Sequence, residues 1–187
     1  MTFQSKNFFE ILGLEEKLQI DPKLVQKKFY EMSRKAHPDF HQTSINKGLS
    51  EEYSALINQA YQTLKNKEKR LLYVIEQYLG SISTQSDKKN APKELLMELI
   101  DMQEALMDFK QEPSETHRHA LEQLLEELNE KINGYDEKID ELIVVFDEAS
   151  AKEEKTDAIT KLRDLHLTKN YVRSLKRTFL NALEPTE

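Results

Sequence analysis

Apolar positions fall at helical spacing along most of the chain. Val25, Phe29, Met32 and Ala36 step by four, three and four, one face of an α-helix, while Lys23, Lys27, Tyr30 and Arg34 step alike on another face. Asp21-Pro22 reads as N-cap and first helical residue, because aspartate accepts from free amides and proline loses no bond there. Pro38 ends this helix, since it offers no amide and pushes the preceding residue out of the α region. After a polar loop through Thr43, Asn46 and Gly48, Ser50 with Glu51 and Glu52 opens a second long helix. Its inward face reads Tyr53, Leu56, Ile57, Ala60, Tyr61 and Leu64. Shorter helices, Phe8 to Leu12 and Glu68 to Leu79, bring Phe9, Leu12, Leu72 and Ile75. The simplest packing is an antiparallel hairpin closed by two small helices.

The pattern breaks after Leu79, where Gly80 to Asp87 is a run of small polar turn formers, followed by Pro92. Beyond it the apolar runs lengthen. One helix is expected from Pro92 to about Gln111, and Ser114 caps the next. In that next helix Leu121, Leu125, Leu128, Ile132, Tyr135, Ile139, Leu142 and Phe146 alternate steps of four and three, a heptad seam. Gly134 within it is a weak point of up to about 1 kcal/mol, not a break. A third helix, from about Thr156 to Leu183, carries Leu162, Leu165, Val172, Leu175 and Phe179. The expectation is an all-α chain: a hairpin region over 1–79, a linker over 80–92, and an antiparallel three-helix bundle over 93–187.

Charge separates the two halves. Residues 1–80 hold 12 Lys and Arg against 10 Asp and Glu, whereas the remainder holds 15 against 24, within a net charge of −7. Phosphate neutralisation drives nucleic-acid binding, so an acidic second half argues against it, and two partners of opposite character fit better. With no cysteine, the chain can form neither a disulfide nor a thiolate metal site. No stretch approaches the roughly 18 apolar residues of a membrane span, and the start has no apolar run behind a basic segment. A soluble, cytoplasmic protein is expected.

His37-Pro38-Asp39 follows the first long helix. Taken with Phe8-Phe9-Glu10-Ile11-Leu12-Gly13-Leu14 before it and Ile57-Asn58-Gln59-Ala60-Tyr61-Gln62-Thr63-Leu64 after it, the order and spacing resemble a J domain. The tripeptide alone is a common helix stop; the flanking blocks in register make the match specific. The resemblance implies that His37, Pro38 and Asp39, with the basic face of the preceding helix, dock on a DnaK-class chaperone and promote ATP hydrolysis there. Physically, proline restrains the turn that presents the imidazole and carboxylate, and Lys27, Lys28, Arg34 and Lys35 steer an acidic surface. Many J domains follow the aspartate with a basic residue; this chain has Phe40.

The helix from Lys93 to Phe109 carries two apolar stripes. Leu95, Leu99, Met102, Leu106 and Phe109 form one; Leu96, Ile100 and Met107, with Met97 beside them, form the other. Glu98, Asp101, Glu104 and Asp108 interleave, so an external partner would present apolar patches ringed by basic residues. Two bundle neighbours would cover such a helix equally well. A J domain joined by a short linker to an acidic three-helix bundle resembles the HscB co-chaperones of iron-sulfur cluster assembly, over nearly the whole chain. In that family the first bundle helix binds the scaffold protein IscU, and the matching positions here are Leu96, Met97, Ile100, Asp101, Glu104 and Asp108. A family aromatic after Lys161-Leu162-Arg163 is Asp164 here, which leaves open whether Leu165 substitutes for it. The cysteine zinc motif of some relatives is absent.

Nothing in the sequence marks an enzyme. His37 and His41 are separated by a helix-breaking proline, and His117 and His119 diverge at a helix start, so neither pair is a metal site. Phosphate loops, nucleophile elbows and dinucleotide fingerprints are missing, and no cofactor is expected. The resemblance therefore implies a co-chaperone that stimulates a DnaK/HscA-class ATPase and delivers an IscU-like scaffold to it. A J protein recruiting a different client through its acidic bundle, and a helical adaptor with an accidental His-Pro-Asp turn, are the competing readings.

Overall fold

The computed structural model describes residues 7–36, 44–81 and 93–184, and within them the side chains of all but 44–50, 93–96, 98 and 99. The described residues form seven helices: α1 (Phe8–Leu12), α2 (Pro22–Ala36), α3 (Ser44–Leu64), α4 (Lys67–Leu79), α5 (Lys93–Gln111), α6 (Glu115–Glu148) and α7 (Lys152–Leu183). Two compact units result. Unit 1 is 1–80 together with 143–156, and unit 2 is 81–142 together with 157–187.

Unit 1 is built from short helices closed by specific caps. Asn7 opens α1 with a capping box: its side chain accepts from the Glu10 amide while the Glu10 carboxylate accepts from the Asn7 amide. Gly13 closes α1 at φ +65, a left-handed conformation that only glycine adopts without strain. Asp21 caps α2 as expected, accepting from the Lys23 amide at 2.9 Å. The helices meet through Phe9, Leu12, Leu18, Val25, Ile57, Ala60, Leu64 and Ile75, all 2% exposed or less. Aromatic pairs tie the elements together: Phe29 stacks on Tyr61 at 4.3 Å and Phe8 on Tyr73 at 4.4 Å. The Phe8 amide also donates to the Tyr73 hydroxyl at 2.9 Å, while burial and the nearby carboxylates Glu16 and Glu10 raise that phenol's pKa.

The end of α6 and the turn to α7 complete this unit. Asp147 accepts from the backbone amides of Leu18 at 2.6 Å and Gln19 at 2.8 Å, pinning the α1–α2 connection. Phe146 is fully buried with its ring edge-on to Tyr78, and Lys155 lies over the same ring, 4.9 Å from its centroid. The Tyr78 hydroxyl donates to Glu16 at 2.6 Å; burial and that carboxylate push its pKa well above the usual phenol range. Arg70 is 4% exposed, and its guanidinium donates to the carbonyls of Leu18 and Leu64. Burial lowers its pKa, and the charge of Asp147 acts in the opposite sense.

Unit 2 is a bundle of long helices with one continuous core. Met102, Leu106 and Phe109 of α5 pack with Leu121, Leu125, Leu128 and Ile132 of α6 and with Val172, Leu175 and Phe179 of α7. Lys169, 8% exposed, pairs with Asp136, whose side chain is about half exposed. Burying an ammonium requires a partner, and Asp136 meets that requirement across the α6–α7 contact.

Three expectations need correction. The second long helix begins at Ser44, not Ser50, so Asn46 and Gly48 lie inside it. A glycine costs a helix about 1 kcal/mol and does not stop it when a long apolar face follows. The seam of α6 holds at Leu121, Leu125, Leu128, Ile132, Ile139 and Phe146, but Leu142 is only half-buried and Ile143 is buried instead. A strict heptad falls behind a straight helix by about 20° per repeat, so a step of four after Ile139 returns the stripe to the packed side. In α4, Leu71 takes the buried place expected of Leu72, which is half-buried, while Ile75 is buried as expected.

Candidate functional site

Two exposed helix faces stand out, one in each unit. On α5 the two apolar stripes part company. Met102, Leu106 and Phe109 of the first are at most 9% exposed, whereas Ile100 and Met107 of the second are 54% and 62% exposed and Met97 is 68% exposed. Leu95, Leu96 and Leu99 lie outside the described side chains. Met97, Ile100 and Met107 therefore stay outside the described bundle core, an apolar strip largely open to water. Asp101, Glu104 and Asp108 are exposed beside them. At 3.6 residues per turn, positions 97, 100, 101, 104, 107 and 108 share an arc of about 120°. Ile100 and Met107 form one edge, Asp101 and Asp108 the other, and Met97 and Glu104 the centre.

The acidic edge gives the face a sign. Such a surface favours a partner that offers apolar groups next to Lys or Arg. Met97 and Met107 suit an adaptable contact, because an unbranched thioether fills irregular gaps. Met107 belonged to the second stripe in the sequence but not among the contact positions implied by the family resemblance; its exposure adds it to the face. On α7, Asp164 is held by Arg163, whose Nε and Nη2 donate to one carboxylate oxygen at 2.9 and 2.7 Å. Leu165 beside it is half-buried.

In unit 1 the basic side of α2 lines a shallow, open groove with Lys23, Gln26, Lys27, Tyr30, Glu31 and Arg34. Tyr30 is 61% exposed within it. Lys27 and Arg34 thus share the groove. Lys28 and Lys35 lie about 100° further round the helix, and Lys28 is paired with Glu31 at 3.6 Å. Arg34 and Lys35 occupy the last turn, where the helix dipole favours cations. His37, Pro38 and Asp39 lie outside the described residues, immediately after α2 ends at Ala36.

Among the described residues no group of three or more His, Asp or Glu could hold a metal ion, and no helix is long and apolar enough to cross a membrane. His117 donates from Nδ1 to the Glu112 carbonyl at 2.7 Å, whereas His119 accepts from Gln123 at 3.4 Å, so the two rings engage different partners. His166, not singled out in the sequence, is 6% exposed and accepts from the Asn170 amide at 2.8 Å.

Residues 7–73 match the family model of the DnaJ domain, and residues 91–178 match that of the HSCB C-terminal oligomerisation domain. A co-chaperone protein HscB homolog of Vibrio parahaemolyticus is 30% identical over 139 residues, covering 66% of this chain and 81% of that one. An iron-sulfur cluster co-chaperone protein HscB homolog of Arabidopsis thaliana is 26% identical over 133 residues, 70% of this chain but 50% of that longer protein. The fold resembles the crystal structure of human co-chaperone protein HscB, with a TM-score of 0.59 at 19% identity, over 99% of this chain and 86% of the other. With a J-type helical hairpin and an acidic bundle each matched in its own right, the chain belongs to the HscB co-chaperone family.

Proposed function

We propose that this protein is a co-chaperone of iron-sulfur cluster assembly that stimulates the ATPase of a DnaK/HscA-class chaperone and delivers an IscU-like scaffold to it. In this reading residues 1–79 form the chaperone-docking J domain, 80–92 the linker and 93–187 the client-binding part. His37, Pro38 and Asp39 dock on the chaperone, with Lys27 and Arg34 in the groove and Lys28 and Lys35 on the adjoining face of α2. Leu96, Met97, Ile100, Asp101, Glu104 and Asp108 contact the scaffold. The chain performs no chemistry of its own: it raises another protein's hydrolysis rate by binding, and holding client and ATPase on one molecule raises their effective concentration. Action in the cytoplasm belongs to the same reading.

The observation that carries the proposal is the exposure of Met97, Ile100 and Met107 beside Asp101, Glu104 and Asp108, an apolar and acidic face outside the described bundle core. The test is bipartite. His37→Gln abolishes ATPase stimulation and leaves scaffold binding intact, whereas Leu96→Ala with Ile100→Ala does the reverse. Wild-type behaviour of both variants in both assays would refute the division of labour. A J protein that recruits another client through α5 is the second reading, favoured by the general chemistry of that face. Recovery of a dominant partner other than an IscU-like protein by the full chain, with that capture lost in Ile100→Ala, would select it.

A further inference from the structure

The chain has five methionines and no cysteine, so thioethers are its only sulfur groups open to oxidation. Four of them lie among the described residues, in different surroundings. Met102 is 4% exposed in the core of unit 2, and Met32 is half-buried on α2. Met97 and Met107 are 68% and 62% exposed. Access to an oxidant in water decides which thioether reacts, so these two are the preferred targets. Met102, between them on the same helix, is an internal control that folding protects.

An exposed methionine is ordinarily a passive target, but here both belong to the acidic-apolar face of α5. Met97 lies at its centre and Met107 at its edge, about 15 Å apart along the helix axis. With Ile100 they are its exposed large apolar side chains among the described residues. A sulfoxide at either position replaces a soft apolar group with a polar oxygen, which must be desolvated before a partner's apolar groups can pack there. The neighbouring Asp101, Glu104 and Asp108 give that oxygen no compensation, because an ionised carboxylate accepts hydrogen bonds and donates none. The same carboxylates repel anionic oxidants and leave a neutral peroxide unhindered.

We propose that Met97 and Met107 form a reversible oxidation site, with hydrogen peroxide as oxidant, whose sulfoxides close the α5 face to its partner. Each sulfur takes one oxygen from peroxide: the S–O bond forms as the O–O bond breaks, the sulfur loses two electrons, and the proton of the transferred oxygen leaves with the departing hydroxide as water. A sulfoxide reductase runs the return step with two thiols, which become a disulfide while the oxygen leaves as water, one enzyme serving each sulfoxide epimer. The regulatory role rests on the scaffold reading above, under which peroxide interrupts client capture and reduction restores it. The choice of sulfurs rests on their exposure.

The test treats the full chain with hydrogen peroxide and follows each methionine by peptide mass mapping. Met97 and Met107 react roughly tenfold or more faster than Met102, with helical circular dichroism unchanged. After the peroxide is removed, titration with an IscU-like scaffold gives an affinity weakened roughly tenfold or more, and treatment with sulfoxide reductases of both epimer specificities restores it. In Met97→Leu with Met107→Leu, leucine keeps apolar bulk without an oxidisable sulfur, and peroxide no longer alters the affinity, whatever its starting value. Equal rates at Met97, Met107 and Met102 in the folded chain, an affinity that survives both sulfoxides, or a loss that persists in the double variant would each overturn the proposal. If the untreated chain binds no scaffold while the two methionines oxidise selectively, the scaffold reading fails and the oxidation site stands. If scaffold binds and ignores the sulfoxides, the switch fails and the scaffold reading stands.

Discussion

The two units reach stability by different routes. Unit 2 rests on length: α6 has 34 residues and α7 has 32, and their seam repeats one kind of contact through a single apolar core. Unit 1 rests on particular contacts, because its smallest helix has 5 residues and α4 has 13, lengths at which an isolated helix is marginal at best in water. Each must be held by a cap, an aromatic stack or a side chain from elsewhere in the sequence. In a repetitive seam one substitution is diluted among equivalent neighbours, whereas in a unit of unlike contacts it removes something that nothing nearby duplicates.

The largest expected effect comes from a matched pair of truncations. Phe146 in unit 1 and Phe179 in unit 2 are both 0% exposed, and Phe→Ala at such a site costs roughly 3–5 kcal/mol. Phe146→Ala also strips the ring that Tyr78 and Lys155 pack against. Amide hydrogen exchange is expected to lose protection across α1 and α4 in Phe146→Ala, but only in the turns next to the cavity in Phe179→Ala. Equal, local losses in both variants would erase the contrast between the units.

A smaller effect is expected at Asp147. Its carboxylate accepts two backbone amides and faces the buried Arg70, so Asp147→Asn keeps the shape but removes the charge and one acceptor. Hydrogen bonds to a charged group contribute more than neutral ones, and a loss of about 1–2 kcal/mol follows for this half-buried site. The measurement is denaturant unfolding followed by tyrosine fluorescence, since five of the seven tyrosines, Tyr30, Tyr53, Tyr61, Tyr73 and Tyr78, belong to unit 1. An unchanged midpoint would show that the clasp adds nothing beyond the packing of Phe146.

These two residues also mark where the sequence stops being legible. The helices of unit 2 follow from periodicity, because a seam is a local rule repeated; even its polar layer left a trace. The stripe of α7 runs through Leu162 and Leu165 and resumes at Val172, and the positions missing between them are Thr168 and Lys169, which the structure buries. Asp147, by contrast, is one carboxylate among many on a charged helix, and its partners lie 128 and 129 residues away. No spacing rule connects them. On α5 both stripes were visible, but which would face the core could not be read, since amphipathicity gives faces without their neighbours. Exposure of Met97, Ile100 and Met107 resolves that choice. The His-Pro-Asp tripeptide was legible as a motif and lies outside the described residues.

The smallest expected effect has the opposite sign. Gly134 sits in the interior of α6 with a helical backbone, and a Cβ built there meets no atom within 4 Å. Alanine would therefore relieve the conformational entropy that glycine loses on folding without a steric cost, a gain of about 0.5–1 kcal/mol. In a seam that dilutes single changes, this gain should appear as a uniform rise in hydrogen-exchange protection along the middle of α6, with α1 and α4 unaffected. Gly13→Ala is the control in unit 1. There φ is +65, and the added methyl would lie 3.3 Å from Met32 Cε, so the same substitution destabilises. Opposite signs for one chemical change would confirm that the long helix asks only for helix-forming residues, while the short one depends on the conformation at its end. Stabilisation at both sites would mean that the cap of α1 is dispensable, and with it the claim that unit 1 is held by contacts nothing else can replace.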